Sequence, residues 1–272
     1  GNIVWQKKID DTKVVSYQQN NLPANLLRNA AITATPDGNF EVTFATESFK
    51  DVINAAVVKF SENGNVLWHR LYKANFSERT FPTHIVALSD GSSVLMGNLE
   101  NQINQTFLIK IANDGQVISH AVLENSDKNQ LFKGRFLTKS NDGSLIGIAS
   151  MNEGDAVFQL DDQLQVVKIS QYFNEGRRVN LRALQQRADG VIGVAMSTGT
   201  AADSDLGFLS IDSNGHPISV VSVNASAGDE ASCIVNTLDG GFFVGGFTGE
   251  YAPDSAIQGA FIPADHAFGL RV

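Results

Sequence analysis

An Asp-Gly pair recurs at Asp37-Gly38, Asp90-Gly91, Asp142-Gly143, Asp189-Gly190 and Asp239-Gly240, in steps of 53, 52, 47 and 50 residues. A period in that range belongs to repeat architectures, in which one supersecondary unit buries its apolar faces only by stacking on the next. Each pair opens a short apolar run, as at Phe40 to Ala45 or Phe242 to Gly246. A second apolar segment follows: Ala55 to Phe60, Thr106 to Ile111, Ala156 to Leu160 and Leu206 to Ile211. Further turns come next, at Asn63-Gly64, Asp114-Gly115, Gln163-Leu164 and Asn214-Gly215, each leading into another strand. Asn-Gly and Asp-Gly suit the left-handed backbone of two-residue hairpin turns. Turns flanking short β-branched and aromatic runs predict antiparallel strands, four to a repeat. Gln163-Leu164 is a poor hairpin pair, so a longer or distorted turn is expected there.

The two ends complete each other. Ala267 to Val272 matches the third strand of a repeat, and Gly1 to Ile9 matches Gly64 to Tyr72, with Trp5 in the place of Trp68. An offset of this kind suits a ring, because the first strand then covers an open edge of the last sheet. The expected fold is all-β: a five-bladed β-propeller of four-stranded antiparallel blades, closed by the N-terminal strand pairing with the C-terminal blade. One domain is expected over residues 1–272, with blades near 28–72, 79–123, 133–173, 178–223 and 229–272 and the outer strand of the last blade at 1–9. Five residues before each turn Asp stand Ile32, Ile85, Leu137, Leu184 and Ile234, aliphatics expected between neighbouring blades. Small residues near the second strands, Gly97, Gly147, Gly193, Gly245 and Gly246, are expected to let sheets approach.

Composition narrows the function classes. The net charge of −9 argues against a nucleic-acid binder, which needs a basic stripe. No run nears the length of about 18 apolar residues that spans a bilayer. The single cysteine, Cys233, excludes an internal disulfide and is expected in the core. The chain opens on Gly, which fits a trimmed leader, and a monomer is expected.

The run Asp239 to Gly246 (DGGFFVGG), taken with Val58 to Trp68 (VKFSENGNVLW), resembles the propeller repeats of secreted and cell-surface bacterial proteins. Those pair a D-G-G-[FY] strand with a K-[LI]-D-x-x-G-x-[VI]-x-W segment. The likeness covers nearly the whole chain, but Ser119, Lys168 and Ser219 replace the Trp in three repeats. It implies a location outside the cytoplasm, in the periplasm or at the cell surface, with a lipid-bearing Cys upstream of Asn2 as one form of anchoring.

Function concentrates on loops held by a rigid scaffold. In such a fold the long, variable connections share one face, the last of them Thr248 to His266. Basic residues gather at that face, at Arg28, Arg79, Arg135, Arg177, Arg178 and Arg182, with Lys133 beside Arg135. Arg binds carboxylate and sulfate through paired hydrogen bonds, so an acidic glycan, or another envelope protein, is the expected partner. Tyr251 lies on the last loop, a candidate lid, and Asp229 and Glu230 occupy the matching place in the fifth repeat as acids able to neutralise the cluster.

No catalytic residue, metal site or cofactor is assigned. Glycoside hydrolysis needs two acids flanking the bond. The candidates, Asp203, Asp205, Asp229, Glu230, Glu175 and Glu250, lie on loops without a motif. His69, His84, His120, His216 and His266 lack metal-ligand spacing, and His84 reads as a buried ring with its hydrogen bond satisfied. The expected function is a non-catalytic envelope or secreted recognition or scaffold module, binding a glycan or protein on the long-loop face. The alternative is a glycoside hydrolase or lyase using channel carboxylates.

Overall fold

The computed structural model describes residues 30–49, 52–73, 79–99, 105–123, 131–172, 178–200, 203–223, 229–249 and 265–271. They form five antiparallel sheets. The first runs in the order β1 (Ala31–Ala34), β2 (Phe40–Phe49), β3 (Val52–Phe60), β4 (Val66–Tyr72). The second holds β5 (Thr80–Ala87), β6 (Ser93–Leu99), β7 (Gln105–Ile111) and β8 (Val117–Leu123). The third holds β9 (Phe132–Lys139), β10 (Leu145–Met151), β11 (Gly154–Leu160) and β12 (Val166–Tyr172). The fourth holds β13 (Arg178–Gln186), β14 (Ile192–Thr200), β15 (Asp203–Ile211) and β16 (Pro217–Val223). The fifth has three strands, β17 (Glu230–Asn236), β18 (Phe242–Gly249) and β19 (Asp265–Arg271). Every sheet pairs its strands in sequence order, the pattern of propeller blades. Gly1 to Ile9, the expected fourth strand of the fifth sheet, lies outside the described residues.

The chain divides into two compact units. One comprises Gly1–Lys139 with Leu160–Val166, the other Ser140–Gln159 with Val167–Val272. In the first, Ala55, Val57 and Tyr72 pack on Ile85, Leu95, Leu99, Phe107 and Ile111, with Trp68 along their border. In the second, Phe158, Leu184, Val194, Leu209 and Val244 are buried, and Phe208 lies against Phe242 with centroids 5.4 Å apart. β6 is buried along its whole length, as expected of a strand covered on both faces.

The hairpin turns differ from expectation in kind. Thr35 N–H donates to Asn39 O and Gly38 N–H to Thr35 O, enclosing three residues rather than two, and this pair of bonds recurs at nine described turns. Only the last residue of each loop takes a positive φ, between 64° and 89°. This is a type I turn followed by a left-handed residue, the three-residue hairpin. Gln163-Leu164 forms the same turn, not a longer one, and Leu164 takes the left-handed conformation at φ 64°. Burial explains it: the Leu164 side chain is only 1 % exposed.

Other expectations need correction as well. Ile85, Leu137, Leu184 and Ile234 are buried, but Ile32 is 66 % exposed. Cys233 is exposed rather than in the core. The expected close approach holds at Gly193, where a Cβ would stand 2.6 Å from the ring of Phe242 on the next sheet. At Gly97 and Gly246 the crowding atoms belong to their own sheets: Phe81 O and the Phe107 ring at the first and Glu230 O at the second, beside β-bulges.

Neighbouring sheets are tied by bonds that recur. Tyr72 Oη donates to Gly115 O and Tyr172 Oη to Gly215 O, each at 2.7 Å. Trp68 Nε1 donates to Asn113 O at 2.8 Å, and Lys168 Nζ, at the matching position, donates to Ser213 O. An outer strand thus grips the outer turn of the following sheet.

Candidate functional site

In the second unit, hydrogen bonds join the early parts of β11 and β13, of β13 and β17, and of β15 and the residue ahead of β17. Arg182 on β13 donates from Nη2 to Glu230 Oε2 on β17 at 2.8 Å. The neutralising acid foreseen in the fifth repeat is therefore engaged with Arg182 through Nη2, while Arg182 Nε is shielded without a hydrogen-bond partner. Both side chains are half-exposed, so the pair orients more than it stabilises.

Asp229, immediately ahead of β17, is fully buried. Its N–H donates to Ser204 O at 2.8 Å, and Ser204 Oγ donates to Asp229 O at 2.9 Å. Asp155 on β11 is also buried. Its Oδ1 accepts from Ser150 Oγ at 2.8 Å and its Oδ2 from Leu181 N–H at 2.7 Å. The Asp155 and Glu230 carboxylates are thereby bonded to β13, and Asp229 is tied through its backbone to Ser204 on β15. Asp205 lies on β15, with Ser222 Oγ 3.5 Å from its Oδ2.

Asp155 was missed in the sequence. The signal was present: the first position of the third strand carries Ala55, Thr106 and Leu206 in the other repeats, and an acid there breaks an apolar pattern.

Arg79 and Arg135 belong to the first unit, where Arg79 lies 5.5 Å from the ring centroid of Phe81, a cation–π contact. Arg135 is half-buried on β9, and Lys133 beside it is exposed. Arg28, Arg177, Tyr251, Glu175, Glu250 and the side chains of Arg178 and Asp203 lie outside the described residues.

His84 packs its ring on Phe136, centroids 4.5 Å apart. The satisfied hydrogen bond expected of it is absent at Nδ1, which is shielded without a partner. Burial holds its pKa below the ordinary value, so the ring is neutral. Among the described residues no three His, Cys, Asp or Glu side chains are placed to share a metal ion, and no helix is long and apolar enough to cross a membrane. A cavity of about 330 Å³ lies in the first unit, walled by Leu71, Tyr72, Phe107, Ile109, Val117 and His120. Its lining is mostly apolar and carries no carboxylate, with Lys73 and His120 as its basic side chains.

No protein-family model matches the chain, and no curated protein does. Solved structures do. An α-L-arabinanase from Penicillium chrysogenum, complexed with arabinobiose, superposes with a TM-score of 0.58 at 13 % identity, over 81 % of this chain and 78 % of that one. An exo-β-1,3-galactanase from Clostridium thermocellum gives 0.54 at 12 %, over 89 % of this chain but 58 % of its own, so this chain spans little more than half of it. Virginiamycin B lyase from Staphylococcus aureus gives 0.51 at 13 %, over 89 % and 69 %. At these identities the likeness supports the β-propeller fold and leaves the site to be argued from its own residues. It does correct one expectation. The non-catalytic recognition or scaffold module is overturned as the leading reading, because the arabinanase and the galactanase favour the hydrolytic alternative.

Proposed function

We propose that this protein is a glycoside hydrolase acting at the long-loop ends of the strands in the second unit. The observation that carries the reading is the Glu230 carboxylate bonded to the Arg182 guanidinium, with the buried Asp229 adjacent to Glu230 in the chain and Asp155 on the neighbouring N–H of Leu181. Hydrolysis of a glycosidic bond takes one carboxyl to protonate the leaving oxygen and a second to activate water or attack the sugar. Both Asp155 oxygens are occupied, so Asp155 braces β13. Glu230 and the adjacent Asp229 are taken as the reacting pair, with Arg182 positioning Glu230. Asp229 stands outside β17, so strand alternation does not force it away from Glu230. The fold shared with an arabinanase and a galactanase supports a carbohydrate substrate.

The test is hydrolysis of a panel of arabinan, galactan and aryl glycosides, read by released reducing sugar. Glu230→Gln and Asp229→Asn should each lower the rate by about 100-fold or more with the fold intact. A well-folded protein inactive across the panel, or variants as active as the parent, refutes the reading.

The finer architecture is proposed with it: a five-bladed ring closed by Gly1 to Ile9 beside β19. Support comes from the fifth sheet, which has three described strands where the others have four, and from Trp5 at the position of Trp68. Deleting residues 1–9 should then lower the melting midpoint by many degrees, and an unchanged midpoint rejects closure. The repeat pattern supports a location outside the cytoplasm, which export of the full-length protein from a bacterial host would check.

A further inference from the structure

In the first unit, Glu41 on β2 stands opposite Lys59 on β3. Both side chains are almost wholly buried, at 1 % and 2 % exposure. Lys59 Nζ is already spoken for: it lies 3.0 Å from Asp37 Oδ2 and bonds Asn113 Oδ1 of the second sheet, while Glu41 Oε1 is farther, at 3.6 Å. The second sheet repeats the Lys–Asp pair without a Glu: Lys110 meets Asp90 at 3.3 Å, and Val94 stands where the first sheet has Glu41. The turn Asp is therefore the standing counter-ion of this Lys, and Glu41 is one acid too many. Neither Glu41 oxygen has a hydrogen-bond partner, and the buried Oγ of Ser93, at the start of β6, has none either. A buried carboxylate without donors is strongly disfavoured, whereas a carboxylic acid brings its own donor.

We propose that Glu41 is held as a protonated carboxylic acid at the seam between the first and second sheets, paired with Ser93, and that losing this proton in alkaline solution loosens the seam. Other groups facing it are Asp37, Lys59 and Tyr72, and beyond Tyr72 lie Arg70 and Asp114. Burial pushes Glu41 up, and the nearness of the Ser93 hydroxyl and the Lys59 ammonium only partly opposes it. Tyr72 is pushed up as well, chiefly by burial, and stays protonated over the range that matters. The sign follows from proton counting: with its folded pKa raised, Glu41 stabilises fully below its unfolded value and that stability is lost as pH rises through the folded value.

The experiment has two arms. Thermal melts of the whole chain and of Glu41→Gln, from about pH 4 to about pH 9, should show the variant gaining on the parent by several degrees as pH rises. Parallel curves overturn the proposal. In the second arm, infrared spectra of parent protein labelled with carbon-13 glutamate should retain the carbonyl stretch of a protonated acid near pH 7, losing it on further alkalinisation. That arm decides the matter even if the variant does not fold, and absence of the band near neutrality overturns the proposal.

Discussion

Asp155 Oδ2 accepts the backbone N–H of Leu181 at 2.7 Å, across from the third sheet to the fourth. The same N–H is met in other repeats by other side chains. Gly134 N–H donates to Thr106 Oγ1 at 2.6 Å, and Ala231 N–H to Ser197 Oγ at 3.1 Å. In the second sheet the position is Pro82, which has no N–H to satisfy. Each described case stands three residues before the buried aliphatic of the first strand, and at Pro82, Leu181 and Ala231 a β-bulge follows at once. The bulge withdraws one N–H from the ladder, and the preceding sheet supplies the acceptor.

Asp155→Ala should therefore destabilise the protein by about 2 kcal/mol, since it strands a buried N–H that had a charged acceptor. Asp155→Thr, copying Thr106, should recover a good part of that loss. Urea unfolding of the three proteins measures both, and equal stability of the Ala and Thr variants would contradict the bracing role.

Leu164 sets two terms against each other. The left-handed backbone costs a non-glycine residue about 1–2 kcal/mol, while burying a leucine side chain is worth about 1.5–3 kcal/mol. Burial wins narrowly. Leu164→Gly should lower stability by about 1 kcal/mol despite giving the turn the residue its other copies prefer. A rise in the denaturation midpoint would show that strain outweighs packing here.

Gly193→Ala should cost about 1–3 kcal/mol, because the new methyl meets a buried ring with little room to move. Phe242 is held between Phe208 and the Arg187 guanidinium, 5.6 Å from its centroid. The double variant Gly193→Ala with Phe242→Leu should be less destabilised than the sum of the two, which a double-mutant cycle in urea reads directly.

His84 makes stability fall on the acid side. Burial depresses its folded pKa below the ordinary 6.5, so its contribution is complete above that value and declines as pH drops through the folded one. Asp142 and Asp90, held low by hydrogen bonds from Ser140, Ser144 and Ser92, add a second loss at lower pH, below the ordinary 3.8. His84→Phe should flatten the first decline and leave the second. Melting midpoints followed downward from about pH 7 separate the two.

The sequence by itself determined the repeat. Turn pairs spaced at a fixed period, with four apolar runs between them, dictate four-stranded antiparallel sheets wherever the backbone must bond locally, and the described sheets follow that order. Tertiary structure decided what the pattern could not carry. Turn dipeptides are compatible with two- and three-residue loops, and only the bond pair around Gly38 distinguishes them. Asp229 and Glu230 were both legible as acids able to neutralise the arginines, and only the approach of β17 shows that Glu230 is the one bonded to Arg182. Asp155, hidden in an apolar run, became visible as a brace because its partner lies 26 residues away on another sheet. Local turn chemistry and side-chain alternation act over a few residues and can be read along the chain. Charge pairing and backbone satisfaction between sheets depend on distances that exist only after packing.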